Sequence, residues 1–199
     1  MSRLRSEQRR EQLIGVAARL FARGGHDATT TAAIASAAGV TEPILYRHFA
    51  NKNELFIAAV REQSRQTLSH WRGIIEASAE PAEQLRRLVL DFPQHVRRHS
   101  DAYQILHRAL ATTRDKRVLG VLREHREQME GMLHGIIARG QEQHAFRSDV
   151  DPRLLGRLVI DLSVGRSLTL LHLQQDATPQ CQQFLELLLR ELLGSGGRS

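Results

Sequence analysis

Apolar positions recur three and four residues apart along nearly the whole chain, the spacing that gathers them on one face of a helix. No stretch alternates apolar and polar residues as a strand would. Leu13, Val16-Ala17 and Leu20-Phe21 predict a helix over 6–23, ended by Gly24-Gly25. A short apolar segment over 31–38, with Ile34-Ala35 and Ala37-Ala38, is followed by Gly39 and by a second short segment over 41–49. Gly39 can adopt the left-handed conformation that ends a helix. Val40 can fill the angle between the two segments, and Thr41 can cap the second by accepting from a free N–H. Pro43 falls near the second helical position, where a missing N–H costs nothing. These features predict a helix-turn-helix whose small three-helix core is Leu13, Val16, Leu20, Phe21, Ile34, Val40, Leu45 and Phe49.

Lys52 opens a long helix over 52–79, with Asn51 as its cap and Glu54 in its first turn. After Glu80-Pro81 the periodicity predicts helices over 82–99, 101–112, 114–144, 152–174 and 179–193, and the run GSGGRS over 194–199 is expected to be disordered. Pro152 and Pro179 stand where helix starts tolerate proline, whereas Pro93 lies inside a helix and predicts a kink or a break.

Composition narrows the class. The chain has 199 residues, a formal charge of +6 and a sequence pI near 10.6, a balance that suits a polyanionic partner. It lacks the run of about 18 apolar residues that a membrane span needs. The N-terminal stretch MSRLRSEQRREQ has no apolar signal-peptide core, so a soluble cytoplasmic protein is expected. The single Cys181 allows no internal disulfide and reads as a small buried side chain. There is no Gly-rich phosphate loop, no G-x-S-x-G elbow and no H-E-x-x-H, so neither an enzyme nor a cofactor is expected.

The residues Thr29-Thr30, Ile34-Ala35, Ala38-Gly39-Val40, Leu45-Tyr46-Arg47-His48-Phe49 and Lys52-Asn53-Glu54-Leu55 together resemble the N-terminal domain of the TetR family of transcriptional repressors, over 7–60. The resemblance implies an all-α fold: a helix-turn-helix DNA-binding domain over 1–51 and a helical effector-binding and dimerisation domain over 52–193. It further implies that the helix from Lys52 transmits ligand binding to the reading heads and that the last two helices form a four-helix bundle across a homodimer. Leu158, Leu162, Gly165, Leu168, Phe184, Leu185, Leu188 and Leu192 are the expected interface, because the apolar faces there are wider than one neighbour requires.

The outward residues of the segment over 41–49 supply the chemistry for double-stranded DNA. Thr30, Tyr46, His48 and Lys52 carry hydroxyl, imidazole and ammonium groups that can meet phosphate oxygens, and the family pattern places phosphate contacts at matching positions. For bases the candidates are Thr41, Glu42, Pro43, Ile44 and Arg47: arginine can pair with guanine, a carboxylate can accept from the cytosine amino group, and apolar groups can touch a thymine methyl. Glu42 is the ambiguous member, since a carboxylate near phosphates is repelled and can instead favour a helix N-terminus.

The middle helices carry a mixture of apolar, aromatic and mildly polar groups: Trp71, Phe92 and His95, then Tyr103, Leu106, His107 and Leu110, then Met129, Met132, Leu133, Ile136 and finally His172. Such a set suits a small apolar or aromatic effector, although each member also suits an ordinary core. His95 and His99, four apart, could clamp a metal ion with His107 or Asp91, but Arg97 and Arg98 lie between them and no metal is expected. The function expected is a repressor that binds a palindromic operator as a dimer and is released by a small apolar effector. The alternative is a regulator whose C-terminal domain answers to a protein partner or a metal ion.

Overall fold

The structure, a computed structural model, describes residues 2–173 together with 183, 187 and 191. Among the described residues every regular element is an α-helix: α1 (Ser2–Ala28), α2 (Thr31–Ala37), α3 (Glu42–His48), α4 (Lys52–Glu76), α5 (Pro81–Arg98), α6 (Ser100–Thr112), α7 (Lys116–Glu142) and α8 (Pro152–His172). The predicted helix over 179–193 and tail over 194–199, with Phe184, Leu185, Leu188 and Leu192, lie outside the described residues, as does Cys181.

Helix α1 departs from the predicted end at residue 23. The chain turns at Gly25, whose φ of 78° and ψ of 173° interrupt the helix, and one further turn then runs to Ala28. Of the kink or break expected at Pro93, the break does not occur: α5 runs on through the proline. Leu85, Leu88, Phe92 and Val96 on either side of the proline are buried, so the loss of one N–H is outweighed by a continuous apolar seam.

The chain divides into two compact units, Met1–Thr67 with Ser100–Glu124, and Leu68–His99 with His125–Ser199. The expected boundary after residue 51 thus falls inside the first unit. A three-helix head buries little by itself, and here its core of Leu13, Phe21, Ile34, Leu45 and Phe49 continues into Leu55, Phe56 and Val60 of α4, Ile105 of α6 and Val118 of α7. Phe21 meets Phe56 edge to face at 5.0 Å, and α1 packs against α6.

The second unit is built on Trp71, Leu85, Leu88, Met129, Leu133, Ile136 and Ile160. Helix α5 packs against α8, and at Gly156 helix α8 comes so close to α7 that a Cβ there would stand 3.3 Å from Leu133 Cβ. Buried Gln84 Nε2 donates to the carbonyls of Ile75 at 2.8 Å and Ser78 at 2.6 Å, and its Oε1 accepts from Arg139 Nη2 at 2.8 Å. One neutral amide thereby ties α4, α5 and α7 together without burying a charge.

Candidate nucleic-acid interface

The turn between α2 and α3 is built by the backbone. Val40 N–H donates to the Ala35 carbonyl at 3.0 Å and Gly39 N–H to the Ser36 carbonyl at 3.1 Å, the paired bonds of a Schellman cap. Gly39 sits at φ 66°, where a side chain would be strained. Val40 drops onto the core beneath, and Gln12 of α1 donates to the Ala38 carbonyl at 3.1 Å. The angle of α3 is therefore set by α1 and α2 before any ligand is involved.

The expected cap by the Thr41 hydroxyl does not form. The second helical position is Pro43, which has no N–H, and the N–H of Ile44 is already taken by the Thr41 carbonyl at 3.0 Å. No donor remains for the hydroxyl, and it stays on the exposed surface with Pro43 and Arg47. Leu45 and Phe49 are buried, Glu42, Ile44 and His48 are half-buried, and Tyr46 is 47% exposed. Arg47 has no ion-pair partner among the described residues, so its guanidinium is open to an anion or a guanine edge. Arg10 stacks over the Phe49 ring, 5.0 Å from its centroid, which holds one basic residue of α1 beside α3.

Two of the expected phosphate contacts also have structural work. Thr30 caps α2, its hydroxyl accepting from Ala33 N–H at 3.1 Å. Lys52 is engaged more closely. Its Nζ donates to the carbonyl of His26 at 2.9 Å and that of Thr29 at 3.2 Å, with the Asp27 carbonyl at 3.5 Å. His26 and Asp27 lie in the last turn of α1 and Thr29 just beyond it, so the ammonium ties the start of α4 to that turn. Buried Thr29 reinforces the same place, donating to the Gly25 carbonyl at 2.7 Å.

One residue absent from the sequence-based set stands at the centre of the surface. Thr31, the first residue of α2, donates to Glu42 Oε2 at 2.9 Å and lies 3.2 Å from Tyr46 Oη. Helical spacing carries no signal for it, because the contact crosses between helices 11 and 15 residues apart in sequence. The start of α4 is anchored by Asn51, which accepts from Glu54 N–H at 2.9 Å. Asn53 donates to Asp115 at 2.6 Å, Arg117 pairs with Glu54, and Asp115 is held down to about 2, chiefly by the Asn53 bond and then by donors of Arg117.

The residues read as an effector pocket are divided. Tyr103, Leu106, His107 and Leu110 belong to the first unit, while Trp71, Phe92, His95, Met129, Met132, Leu133, Ile136 and His172 belong to the second. Leu110 is 60% exposed beyond the end of the buried stripe on α6, and His172 is exposed in the last turn of α8, so neither lines a core. A cleft of about 270 Å³ in the second unit is lined by Glu127, Glu130, Gly131, His134, Arg153 and Arg157, none of which was expected there. His95 stacks on His70 at 3.6 Å and lies 4.5 Å from His99. That stacking covers a face of the imidazole, and no set of three His, Cys, Asp or Glu side chains among the described residues is arranged to hold a metal ion. On α8, Leu154, Leu158, Leu162 and Leu168 are 51, 49, 58 and 41% exposed. No helix among the described residues is long and apolar enough to cross a membrane.

Comparison with known proteins places this geometry. One family model, described as bacterial regulatory proteins of the tetR family, matches residues 13–59, and another, tetracyclin repressor-like C-terminal domain, matches 78–166. The HTH-type transcriptional repressor KstR2 of Mycobacterium tuberculosis is 28% identical over 153 residues, 77% of this chain and 76% of the relative. A solved structure of that species' ketosteroid transcriptional regulator KstR2 superimposes with a TM-score of 0.72 at 26% identity, covering 94% of this chain and 96% of the other. The transcriptional activator FasR of Mycolicibacterium smegmatis is 30% identical over 105 residues, 53% of this chain and 48% of its own. FadR of Bacillus subtilis, solved in complex with stearoyl-CoA, shares the fold at a TM-score of 0.77 and 19% identity, over 92% of this chain and 98% of that one. With a helix-turn-helix presented on α3 and both halves of the chain matched, the protein belongs to the TetR family of DNA-binding transcriptional regulators.

Proposed function

We propose that the protein is a repressor that occupies a two-fold-symmetric operator as a homodimer and leaves it when a small apolar effector binds the second unit. The observation that carries the dimer is the stripe of Leu154, Leu158, Leu162 and Leu168 on α8, about half exposed in the single chain. Four large leucines along one helix face form an apolar strip of the kind that marks a subunit contact. A two-fold dimer carries two α3 helices related by its axis, which is why the operator is expected to be palindromic. In this reading Thr30, Tyr46 and His48 meet the backbone, while Thr41, Glu42, Pro43, Ile44 and Arg47 face the bases.

The effector class rests on two supports. The second unit buries Trp71, Phe92, Met129, Leu133 and Ile136, apolar and aromatic groups of the kind that can pack against an acyl chain or a fused-ring hydrocarbon. Relatives point the same way, since KstR2 is a ketosteroid regulator and FadR was solved with stearoyl-CoA. Binding there would favour a conformation whose heads no longer match the half-site spacing. Sedimentation of Leu158→Glu/Leu162→Glu should show a monomer that has lost operator affinity; a variant that still dimerises sinks the interface. Titrating the operator complex with a long-chain acyl-CoA should release the DNA, and an unchanged complex at saturation rejects that effector class.

A further inference from the structure

The hydrogen bonds around Thr31 have a fixed direction. Thr31 Oγ1 is 2.9 Å from Glu42 Oε2 and 3.2 Å from Tyr46 Oη. A carboxylate only accepts, so the single hydroxyl proton of Thr31 points to Glu42. The contact with Tyr46 must then be donated by the phenol, whose own proton points back at Thr31. The chain runs from Tyr46 through Thr31 to Glu42, whose carboxylate keeps lone pairs facing outward. Glu42 makes no other hydrogen bond among the described residues, and Tyr46 is 47% exposed.

Phosphate oxygens are acceptors as well. A phosphate therefore repels the Glu42 carboxylate. A partner must donate, and in the major groove the donors are the amino groups of cytosine and adenine. Adenine places its N7 acceptor beside its amino group, where it would face the carboxylate unfavourably, whereas cytosine has only a C–H there. We propose that Thr31 is a positioning residue of the reading head: it holds Glu42 as the acceptor for a cytosine amino group. The proposal rests on α3 being the helix that reads DNA. It removes the ambiguity of Glu42, because the carboxylate is anchored by α2 rather than by the N-terminus of its own short helix.

Selection from duplexes with randomised half-sites tests it, using the full chain and the variants Thr31→Val, Thr31→Ser, Glu42→Gln and Arg47→Ala. The parent should enrich cytosine about tenfold at one position of each half-site. Thr31→Val, equal in shape but without the hydroxyl, should lose that enrichment and leave the other positions as they were. Thr31→Ser should keep it. Glu42→Gln should move the preference from cytosine towards adenine, because an amide can satisfy both the N6 and N7 edges. A parent without a cytosine preference overturns the proposal, and so does a folded Thr31→Val that selects the parental sites. Should Thr31→Val not fold, Thr31→Ala replaces it, with the same outcomes read. If Glu42→Gln and Arg47→Ala both select parental sites, the assignment of α3 as the reading helix fails. If they shift selection while the Thr31 variants do not, only the role of Thr31 falls.

Discussion

Lys52 in the first unit and His95 in the second are both basic side chains drawn in from solvent, and the fold accommodates them by different means. Lys52 keeps its charge and spends it on the carbonyls of His26 and Thr29 at the end of α1. His95 gives its charge up: burial first, then the neighbouring His70 and His99, hold it down to about 3, so the stacked imidazole is neutral near pH 7. The first unit has to hold α3 at one angle, and charge-assisted bonds to backbone are directional and strong. The second unit packs its buried imidazole among apolar and neutral polar groups, surroundings that favour a neutral side chain over an ion.

The largest test of this contrast is in the cores. Phe21 is fully buried under α4, and Phe21→Ala should cost about 3–5 kcal/mol in denaturant unfolding and take operator affinity with it. Leu133, equally buried in the second unit, should cost about 2–5 kcal/mol as Leu133→Ala but alter effector response more than operator affinity in the folded protein. If the two variants affect DNA and effector binding alike, the division of labour is wrong.

Acid separates the units next. A histidine depressed in the fold is neutral there and protonated in the unfolded chain, so the unfolded state binds more protons below the ordinary value and stability falls as pH drops. His95 at about 3 and His125 at about 4, with His70 also lowered by burial, place that loss from pH 6.5 down to about 3. His125 alone should contribute roughly 2 kcal/mol after allowance for its partial exposure. Asp115 of the first unit behaves differently, its contribution being intact above the ordinary carboxylate value and lost only towards pH 2. Urea midpoints at pH 7, 5.5 and 4.5 should therefore decline steadily. His125→Leu should flatten the decline, and a profile level from pH 7 to 4.5 in the parent contradicts the neutral-imidazole reading.

Lys52→Met sharpens the other side. Removing the ammonium leaves the end of α1 without its donor and should cost about 1–2 kcal/mol. Operator affinity should fall through the distorted head, but the slope of log affinity against log salt should stay as in the parent. A true phosphate contact would instead lower that slope by roughly one.

Lys52 also shows what the chain order conceals. The helix-turn-helix was readable because its signals are local: the glycine at a left-handed turn, the proline in the first turn of α3 and the apolar spacing that buries Leu45 and Phe49. Exposure of Arg47, Thr41 and Pro43 follows from the same spacing. Thr31 was not readable, because its partners Glu42 and Tyr46 come near only after α2 and α3 cross. Lys52 looked free for the same reason, its carbonyl partners lying 23 to 26 residues earlier. The compact units do not divide at residue 51, because periodicity shows that a helix has an apolar face and does not show which neighbour covers it. The segment over 100–124 supplies Ile105 and Val118 to the core of the head, a long-range choice that no local pattern encodes.

The smallest effect lies at the end of α7. Ala145 N–H donates to the Gly140 carbonyl at 2.8 Å and His144 N–H to the Gln141 carbonyl at 3.1 Å, the same cap that ends α2, and Phe146 folds back onto Gly140. The left-handed residue in α2's cap is Gly39, at φ 66°, but in α7's cap it is His144, at φ 58°. A side chain in that conformation is strained by about 1 kcal/mol relative to glycine. His144→Gly should therefore raise the unfolding free energy by about 1 kcal/mol less the entropy gained by the unfolded glycine, whereas His144→Ala should not raise it. Equal stabilisation by both would locate the cost in the imidazole instead of the backbone, and the two caps would then differ in side-chain packing alone.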